Sequence, residues 1–234
     1  MTRHRLQGRT EAEVLWFQRR SFLRAAAAWS ALGGWAGAQA QARGNIVELQ
    51  GAALLNGQPL RPTDTVQTGD VVQTGPGSTL IFVIGNTACH LRQDTLLQLR
   101  RGETLNTVSL LRLVTGGVAS VWGPGQRRLI VTPTLTAGIR GTGVYTEVPP
   151  GEDRSYFCNC YGTVDLTAGA DQTVSTAQYH EAFWGEPAAA RGRALRPAPE
   201  LNHTDEELEF LARLLGQRTA WQVAGRKPAK GSAY

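Results

Sequence analysis

Two cysteines and two histidines in the second half of the chain are the side chains best suited to chemistry. Cys158 and Cys160 lie two positions apart in a run of strand-forming residues, so both sulfur atoms should project from one face of the strand. His203 comes just before a predicted helix and His180 precedes an aromatic segment, so a helix docked on the sheet would bring two imidazoles toward two thiols. Two thiolates and two imidazoles make a four-ligand metal site that favours zinc, with iron or copper as weaker alternatives.

The same cysteines also allow readings without a metal. Three cysteines are an odd number, so in an oxidising compartment at least one thiol is free, metal-bound or paired with another molecule. A Cys158–Cys160 disulfide is disfavoured, because Cα atoms two apart on an extended strand are separated by about 6.5–7 Å. A disulfide from Cys89 to either of them, or plain buried thiols, remains open. His90 adjoins Cys89 on a strand, so those two side chains should face opposite ways.

Motifs of common enzyme classes are missing from the sequence. It contains no Gly-x-Ser-x-Gly elbow and no glycine-rich phosphate loop ending in Lys-Ser or Lys-Thr. His180-Glu181 begins like a metalloprotease helix, but Trp184 stands where that motif requires a second histidine. The chain is therefore predicted not to be an enzyme, with an uncharacterised metal-dependent or redox activity as the alternative.

Asp70 and Arg140 are the best polar anchors outside the Cys/His set. Each lies in a glycine-containing turn, Asp70 after Thr68-Gly69 and Arg140 before Gly141-Thr142. We name them as candidate binding residues, with local hydrogen bonding within the turns as the competing interpretation.

From residue 44 to residue 166 short aliphatic and β-branched runs alternate with glycine turns, a pattern typical of an all-β fold. The spacing of the turns suits a β-sandwich, a barrel or a short β-solenoid, and we predict the sandwich or the solenoid. Thr79–Ile84 is continuously apolar, which predicts a strand covered on both faces. One short C-terminal α-helix is predicted after Thr204, where Glu207 completes a capping box and leucines recur on one face.

These patterns divide the chain into five parts. Composition predicts a leader first and then a β domain that includes the Cys-x-Cys strand. A Pro/Ala/Arg-rich linker, a capping helix and a disordered tail follow. The predicted bounds are leader 1–42, β domain 43–184, linker 185–199, helix 200–216 and tail 217–234.

The leader carries an export signal. Its Arg19-Arg20-Ser21-Phe22-Leu23-Arg24 run resembles the twin-arginine consensus and precedes an Ala/Gly-rich segment, with cleavage expected after Ala40 or Ala42. An ordinary secretory leader or an uncleaved anchor is the alternative, but an anchor needs about 20 strongly apolar residues, and this run is interrupted by serine and glycines. The mature protein is thus predicted to be periplasmic, exported in the folded state and without a membrane span.

Charge excludes two classes of partner. The full chain has a net charge of +5, but the leader holds six arginines and two glutamates, which leaves +1 for the mature part. Nothing in that balance attracts nucleic acid or an anionic membrane.

Three stretches resemble the FecR-like periplasmic domain of bacterial iron-transport regulators. The last of them is the most specific, because it combines a threonine-proline, an arginine and a Gly-Thr-Gly turn in that order. The stretches are residues 44–47 (GNIV), 66–75 (VQTGDVVQTG) and 131–145 (VTPTLTAGIRGTGVY). The resemblance implies an all-β fold over residues 44–170, a role in signalling or protein contact, and no catalytic residues. Full regulators add a sigma-restraining domain and a membrane helix, and this chain shows neither.

The C-terminal third is similar to a narrower group of exported relatives that combine a Cys-x-Cys-Tyr-Gly strand with a His-Thr-Asp-x-Glu-Leu helix, here residues 158–162 and 203–208. No activity comes with that resemblance. The leading hypothesis is therefore a noncatalytic periplasmic sensor, signalling accessory or scaffold that binds a periplasmic or envelope protein. The alternative is a metal-binding or thiol-redox protein that uses the Cys2His2 set.

Overall fold

The computed structural model describes residues 44–187 and 192–227, so the predicted leader lies outside the described residues. The all-β prediction with a C-terminal helix is confirmed: the described residues form fifteen strands and two short helices. None of those helices is long and apolar enough to cross a membrane. The elements are β1 (Ile46–Gln50), β2 (Ala53–Leu55), β3 (Gln58–Pro59), β4 (Val71–Thr74), β5 (Thr79–Ile84), β6 (Thr87–Leu91), β7 (Leu96–Arg101), β8 (Val108–Trp122), β9 (Arg128–Val131), β10 (Thr136–Ile139), β11 (Gly143–Val148), β12 (Ser155–Ala168), β13 (Asp171–Ala177), β14 (Glu181–Gly185), β15 (Leu195–Ala198), α1 (Asp205–Leu214) and α2 (Ala220–Ala224).

The strands form two sheets that share their two longest members. Sheet 1 has the order β1-β5-β6-β8-β11-β12-β14-β15. Sheet 2 has the order β3-β2-β4-β7-β8-β9-β10-β12-β13, and its β8–β9 pair is the parallel one. The sequence predicts two strands in each of the stretches that form β8 and β12, at residues 107–114 and 117–121 in the first and at residues 155–161 and 163–168 in the second. Each strand instead continues through the glycine between those runs and changes sheet there.

Glycine is required at those two corners. Gly116 in β8 has φ +79° and Gly162 in β12 has φ +102°, a region that side chains with a Cβ seldom adopt. A Cβ on Gly116 would also lie 2.4 Å from Oγ1 of Thr95, and one on Gly162 would lie 2.5 Å from Cγ2 of Thr142. The corners let β12 carry the Cys-x-Cys segment in sheet 1 and then cross into sheet 2.

One hydrophobic core fills the space between the sheets. It joins Leu80, Phe82 and Leu91 of sheet 1 to Leu97 and Leu111 of sheet 2, all buried. The two sheets face each other across this apolar interior, and because β8 and β12 belong to both, strands β8, β11, β12, β10 and β9 close into a barrel-like ring.

A second core covers the outer face of sheet 1. There Ile81 and Ala119 pack against Leu208 and Leu211 of α1 and Trp221 of α2. Burial on both sides explains why the β5 segment is continuously apolar, as the sequence predicts.

The predicted helix forms, but its capping differs. Thr204 accepts a hydrogen bond from the backbone N–H of Glu207 at 3.3 Å, as predicted. The prediction that Glu207 bonds back to the backbone N–H of Thr204 is wrong, because its carboxylate turns toward the sheet and binds His90 and Arg92 instead.

Two segments predicted to lack structure are partly ordered. The linker 185–199 contains β15, which pairs with β14 at the edge of sheet 1, where a residue such as Pro197 without an N–H is tolerated. The tail 217–234 contains α2, which starts at a capping box between Thr219 and Gln222 and buries Trp221. Both gain their order from contact with sheet 1, which composition alone does not reveal.

Candidate metal centre

Sheet 1 presents the two cysteines to the underside of the C-terminal segment. Cys158 and Cys160 alternate with Phe157 and Asn159 along β12, so both sulfurs face the outer core, and both residues are fully buried. His180 lies in the tight turn between β13 and β14, where its backbone N–H donates to the carbonyl oxygen of Cys160 at 3.0 Å. His203 immediately precedes the cap of α1. The four ligand atoms lie within 4.8 Å of one another, so the structure brings together all four predicted residues.

The spacing of these atoms matches a tetrahedron. The two sulfurs are 3.9 Å apart, Sγ of Cys158 is 3.6 Å from Nδ1 of His180, and that Nδ1 is 3.0 Å from Nε2 of His203. With Zn–S of about 2.3 Å and Zn–N of about 2.05 Å, a tetrahedral ion would hold the same pairs about 3.8, 3.6 and 3.3 Å apart. Three of the six distances between ligand atoms are thus close to those of a tetrahedral zinc site, and the others are at most 4.8 Å.

Outer hydrogen bonds fix which nitrogen of each ring faces the cluster. Nε2 of His180 donates to Oδ1 of Asp205 at 2.9 Å, and Nδ1 of His203 donates to the carbonyl oxygen of Leu201 at 2.6 Å. With these protons assigned from the hydrogen-bond network, the two remaining nitrogens are acceptors that point at each other. Two lone pairs at 3.0 Å repel unless a proton or a metal ion lies between them. Carboxylate and carbonyl partners of this kind are what orient histidine ligands in metal sites.

Asp205 is itself held in place as an anion. Its Oδ2 accepts from the Tyr179 hydroxyl at 3.0 Å and pairs with Nζ of Lys227 at 2.7 Å. Burial raises the pKa of Asp205, but the bonds from His180, Lys227 and Tyr179 outweigh burial and hold that pKa below its usual range. A charged Asp205 makes His180 a stronger base and a better ligand.

The pKa values of the two thiols shift in opposite directions, and the pKa of His180 is raised. Burial raises the pKa of Cys158, but the hydrogen bond from Cys160 and the nearby histidines bring it well below its usual range. Burial and the adjacent Cys158 raise the pKa of Cys160. Burial lowers the pKa of His180, yet its bonds to Asp205 and Cys158 raise it to about 9. Protons on His180 and Cys160 thus occupy the positions for which a metal ion would compete.

Aromatic rings enclose the cluster. Tyr145 stacks on His203 with ring centres 4.9 Å apart, and Trp221 stacks on His180 at 5.5 Å. Tyr179 meets His180 edge-on at 4.6 Å. Trp221 belongs to the segment predicted to be disordered, so sequence reasoning missed this wall of the site.

A second buried polar cluster lies under the same helix and was also missed. Nδ1 of His90 is 2.6 Å from Oε1 of Glu207, and the guanidinium of Arg92 binds Oε2 of Glu207. All three side chains are at most 6% exposed. Burial raises the pKa of Glu207, but Arg92 and His90 outweigh burial and bring it to about 2. We call this set the ion triad.

The third cysteine is not part of the metal centre. Cys89 faces the core between the sheets, while Cys158 and Cys160 face the outer core, and all three are free thiols. A Cys89 disulfide to either residue is therefore excluded by the sheet between them. Burial raises the pKa of the Cys89 thiol to about 12.

Asp70 and Arg140 have separate local partners. Asp70 accepts from the side-chain amide of Asn56 at 2.8 Å and from the backbone N–H of Gln67 at 2.7 Å. Arg140 lies 3.6 Å from a carboxylate oxygen of Asp165. These contacts fit the turn-stabilising interpretation, and a binding role for the two residues stays a prediction.

Comparison with known proteins gives little more. No protein-family model matches the chain, and no curated protein matches it. Two crystal structures of a candidate anti-sigma factor from Parabacteroides distasonis are similar, at 10% and 12% sequence identity and a TM-score of 0.45 each. The matches cover 62% and 64% of this chain and 65% and 66% of theirs, just under two thirds. Similarity at this level identifies neither a family nor a function, so the FecR-like resemblance stays a prediction.

Proposed function

We propose that this protein is a noncatalytic metal-binding domain that holds one zinc ion through Cys158, Cys160, His180 and His203. One observation carries the proposal: outer hydrogen bonds turn one nitrogen of each imidazole ring toward two sulfurs, at distances close to those of a tetrahedral site. Two sulfur and two nitrogen ligands suit zinc, and they suit copper or iron less well.

The site has the character of a structural centre. Catalytic zinc keeps one position open for water or substrate, whereas here four protein side chains would fill all four positions, and aromatic rings surround them. The ligands come from β12, the β13–β14 turn and the segment before α1. An ion bound there would connect the C-terminal helices to sheet 1, which is a role in stability and shape rather than in turnover.

Metal analysis tests this function directly. The mature protein, purified without chelator, should contain about one equivalent of zinc, as expected for a single four-ligand site. The double variant Cys158→Ser/Cys160→Ser should contain none. Cys89→Ala is the matched control, because that cysteine is buried on the other side of the sheet, and it should keep the full equivalent. Metal-free wild-type protein, or a double variant that still binds zinc, would refute the proposal.

The place of action is a further part of the proposal. We propose that the protein is exported by the twin-arginine route and contacts a periplasmic or envelope protein there, supported by the Arg19-Arg20 leader and the FecR-like motifs. Folded export would allow zinc to be loaded before translocation. Replacing both arginines by lysine should leave the uncleaved precursor in the cytoplasmic fraction, and crosslinking of the exported protein should capture an envelope partner. Unchanged export of the lysine variant would refute the route.

A further inference from the structure

A cleft of about 610 Å³ opens where three loops of the molecule meet, and none of the four proposed zinc ligands lines it. The loops follow β5, β7 and β8. The cleft has a size typical of small-molecule sites, which range from about 300 to 1,000 Å³. Its polar lining includes Asn86, Glu103, Arg127 and Arg128.

Arg128 is a buried cation in the wall of this cleft and has only neutral partners. It is 5% exposed, and its guanidinium donates to the carbonyl oxygen of Gly123 at 3.1 Å and to Oδ1 of Asn86 at 3.0 Å. Its Nε–H has no acceptor among the described residues, and no described carboxylate pairs with it. Arg92, the other deeply buried arginine, has Glu207 as its counter-ion. A buried charge without a counter-ion is costly, so Arg128 calls for an anion.

The surroundings hold Arg128 ready for such a partner. Its guanidinium lies 5.7 Å from the centre of the Trp122 ring, and Asn86 is oriented by donating to the carbonyl oxygen of Pro124 at 2.9 Å. Arg127 adds a second positive charge on the lining and is 53% exposed. Glu103, the acidic group of the lining, accepts from the neutral amide of Gln126 at 2.7 Å, and Arg127 lies 3.4 Å from a carboxylate oxygen of Asp165. Arg128 is therefore the guanidinium of the lining that has no carboxylate partner among the described residues.

We propose that this cleft binds a small organic oxyanion, a carboxylate or a phosphate, with Arg128 as its principal contact and Arg127 as a secondary one. A planar guanidinium matches the geometry of both groups. The site is separate from the zinc centre and does not depend on it.

Binding to zinc-loaded mature protein can be measured by isothermal titration with inorganic phosphate in one series and succinate in another. We expect binding in at least one series, and the tighter series identifies the anion class. Arg128→Gln should weaken it by about tenfold or more, the effect of losing one charged hydrogen-bond partner. Arg127→Gln should weaken it less. Arg196→Gln is the control and should change nothing, because it removes the same charge from an arginine that is 63% exposed and does not line the cleft.

A second variant keeps the test decisive if Arg128→Gln fails to fold. Asn86→Asp places a carboxylate where an amide oxygen now meets Arg128 at 3.0 Å, so it supplies the missing counter-ion. This variant should raise the melting temperature and abolish anion binding at the same time. No binding of either anion to the wild type overturns the proposal. Binding that survives both Arg128→Gln and Asn86→Asp overturns it as well.

Discussion

Two polar clusters lie beneath α1 on the outer face of sheet 1, and their buried groups are balanced in different ways. In the ion triad, Glu207 faces Arg92 and His90, so the negative charge has its cation within the protein. In the metal centre the inward atoms of Cys158, Cys160, His180 and His203 are all electron-pair donors. The first cluster contains its own counter-charge, whereas the second is complete only with a proton or a metal ion.

This difference separates a structural polar core from a ligand site. Outer partners hold Asp205 and the two imidazoles in one orientation. Their hydrogen bonds direct the remaining lone pair of each ring toward the centre of the cluster. The triad members bind mainly one another, and Arg92 also donates to the carbonyl oxygen of Asn202 at 3.3 Å. Both clusters are buried, so burial does not distinguish them. What distinguishes the metal centre is that its electron-pair donors all point inward.

Removing zinc should lower the stability of the protein more than any other of the proposed changes. If free zinc stands at about 1,000 times its dissociation constant, chelation should lower the free energy of unfolding by about 4 kcal/mol. Urea unfolding with and without chelator measures this. The control is Cys158→Ser/Cys160→Ser, whose unfolding curve should not respond to zinc or chelator. Identical curves for the wild type would contradict the comparison.

Breaking the ion triad should lower the free energy of unfolding nearly as much as zinc removal does, but the zinc should stay bound. Glu207→Gln removes the counter-ion of buried Arg92 and should destabilise the protein by about 3 kcal/mol in urea unfolding. Zinc content should stay at the wild-type level. Glu206→Gln, at an exposed glutamate one position earlier, should change stability by less than about 0.5 kcal/mol. Loss of zinc from Glu207→Gln would mean that the two clusters are not independent.

Asp205→Asn sharpens the claim about outer partners. The amide oxygen still accepts from His180 but no longer carries a charge, so zinc affinity should fall about tenfold, the lower end of the range for such partners. Competition with a chromophoric chelator gives the affinity. Glu206→Gln again serves as control, because Glu206 neighbours Asp205 without contacting a ligand. Equal affinity in all three proteins would show that Asp205 does not position His180.

The smallest effect is the pH dependence of the triad, best seen in the metal-free Cys158→Ser/Cys160→Ser background. Burial, and then Arg92, lower the pKa of His90 below 6.5, so the unfolded chain takes up a proton first as pH falls. Stability should therefore decline below pH 6.5, by at most about 1.4 kcal/mol per pH unit for one proton. His90→Gln should flatten the decline between pH 6.5 and 5, and an unchanged slope would exclude His90 as its source.

Local patterns predicted several features correctly because the forces behind them are local. The two-residue period of a strand fixes that Cys158 and Cys160 share a face, and the same period places His90 and Cys89 on opposite faces. Threonine and acidic residues followed by leucines at helical spacing predict α1 and the position of its cap. Such signals need no knowledge of where the element finally packs.

Other features depend on which elements become neighbours, and only the tertiary structure decided them. His90 and Glu207 meet across 117 positions, and Glu207 gives up its predicted capping role because a buried arginine attracts its carboxylate more strongly than a backbone N–H does. Trp221 orders a segment whose composition indicates disorder, since its ring finds an apolar face to cover. The sequence by itself therefore determined the all-β class, the paired sulfurs and the main helix. The convergence of two imidazoles on those sulfurs, the ion triad and the unpaired Arg128 arose from long-range packing, because burial and charge pairing act between residues that the chain holds far apart.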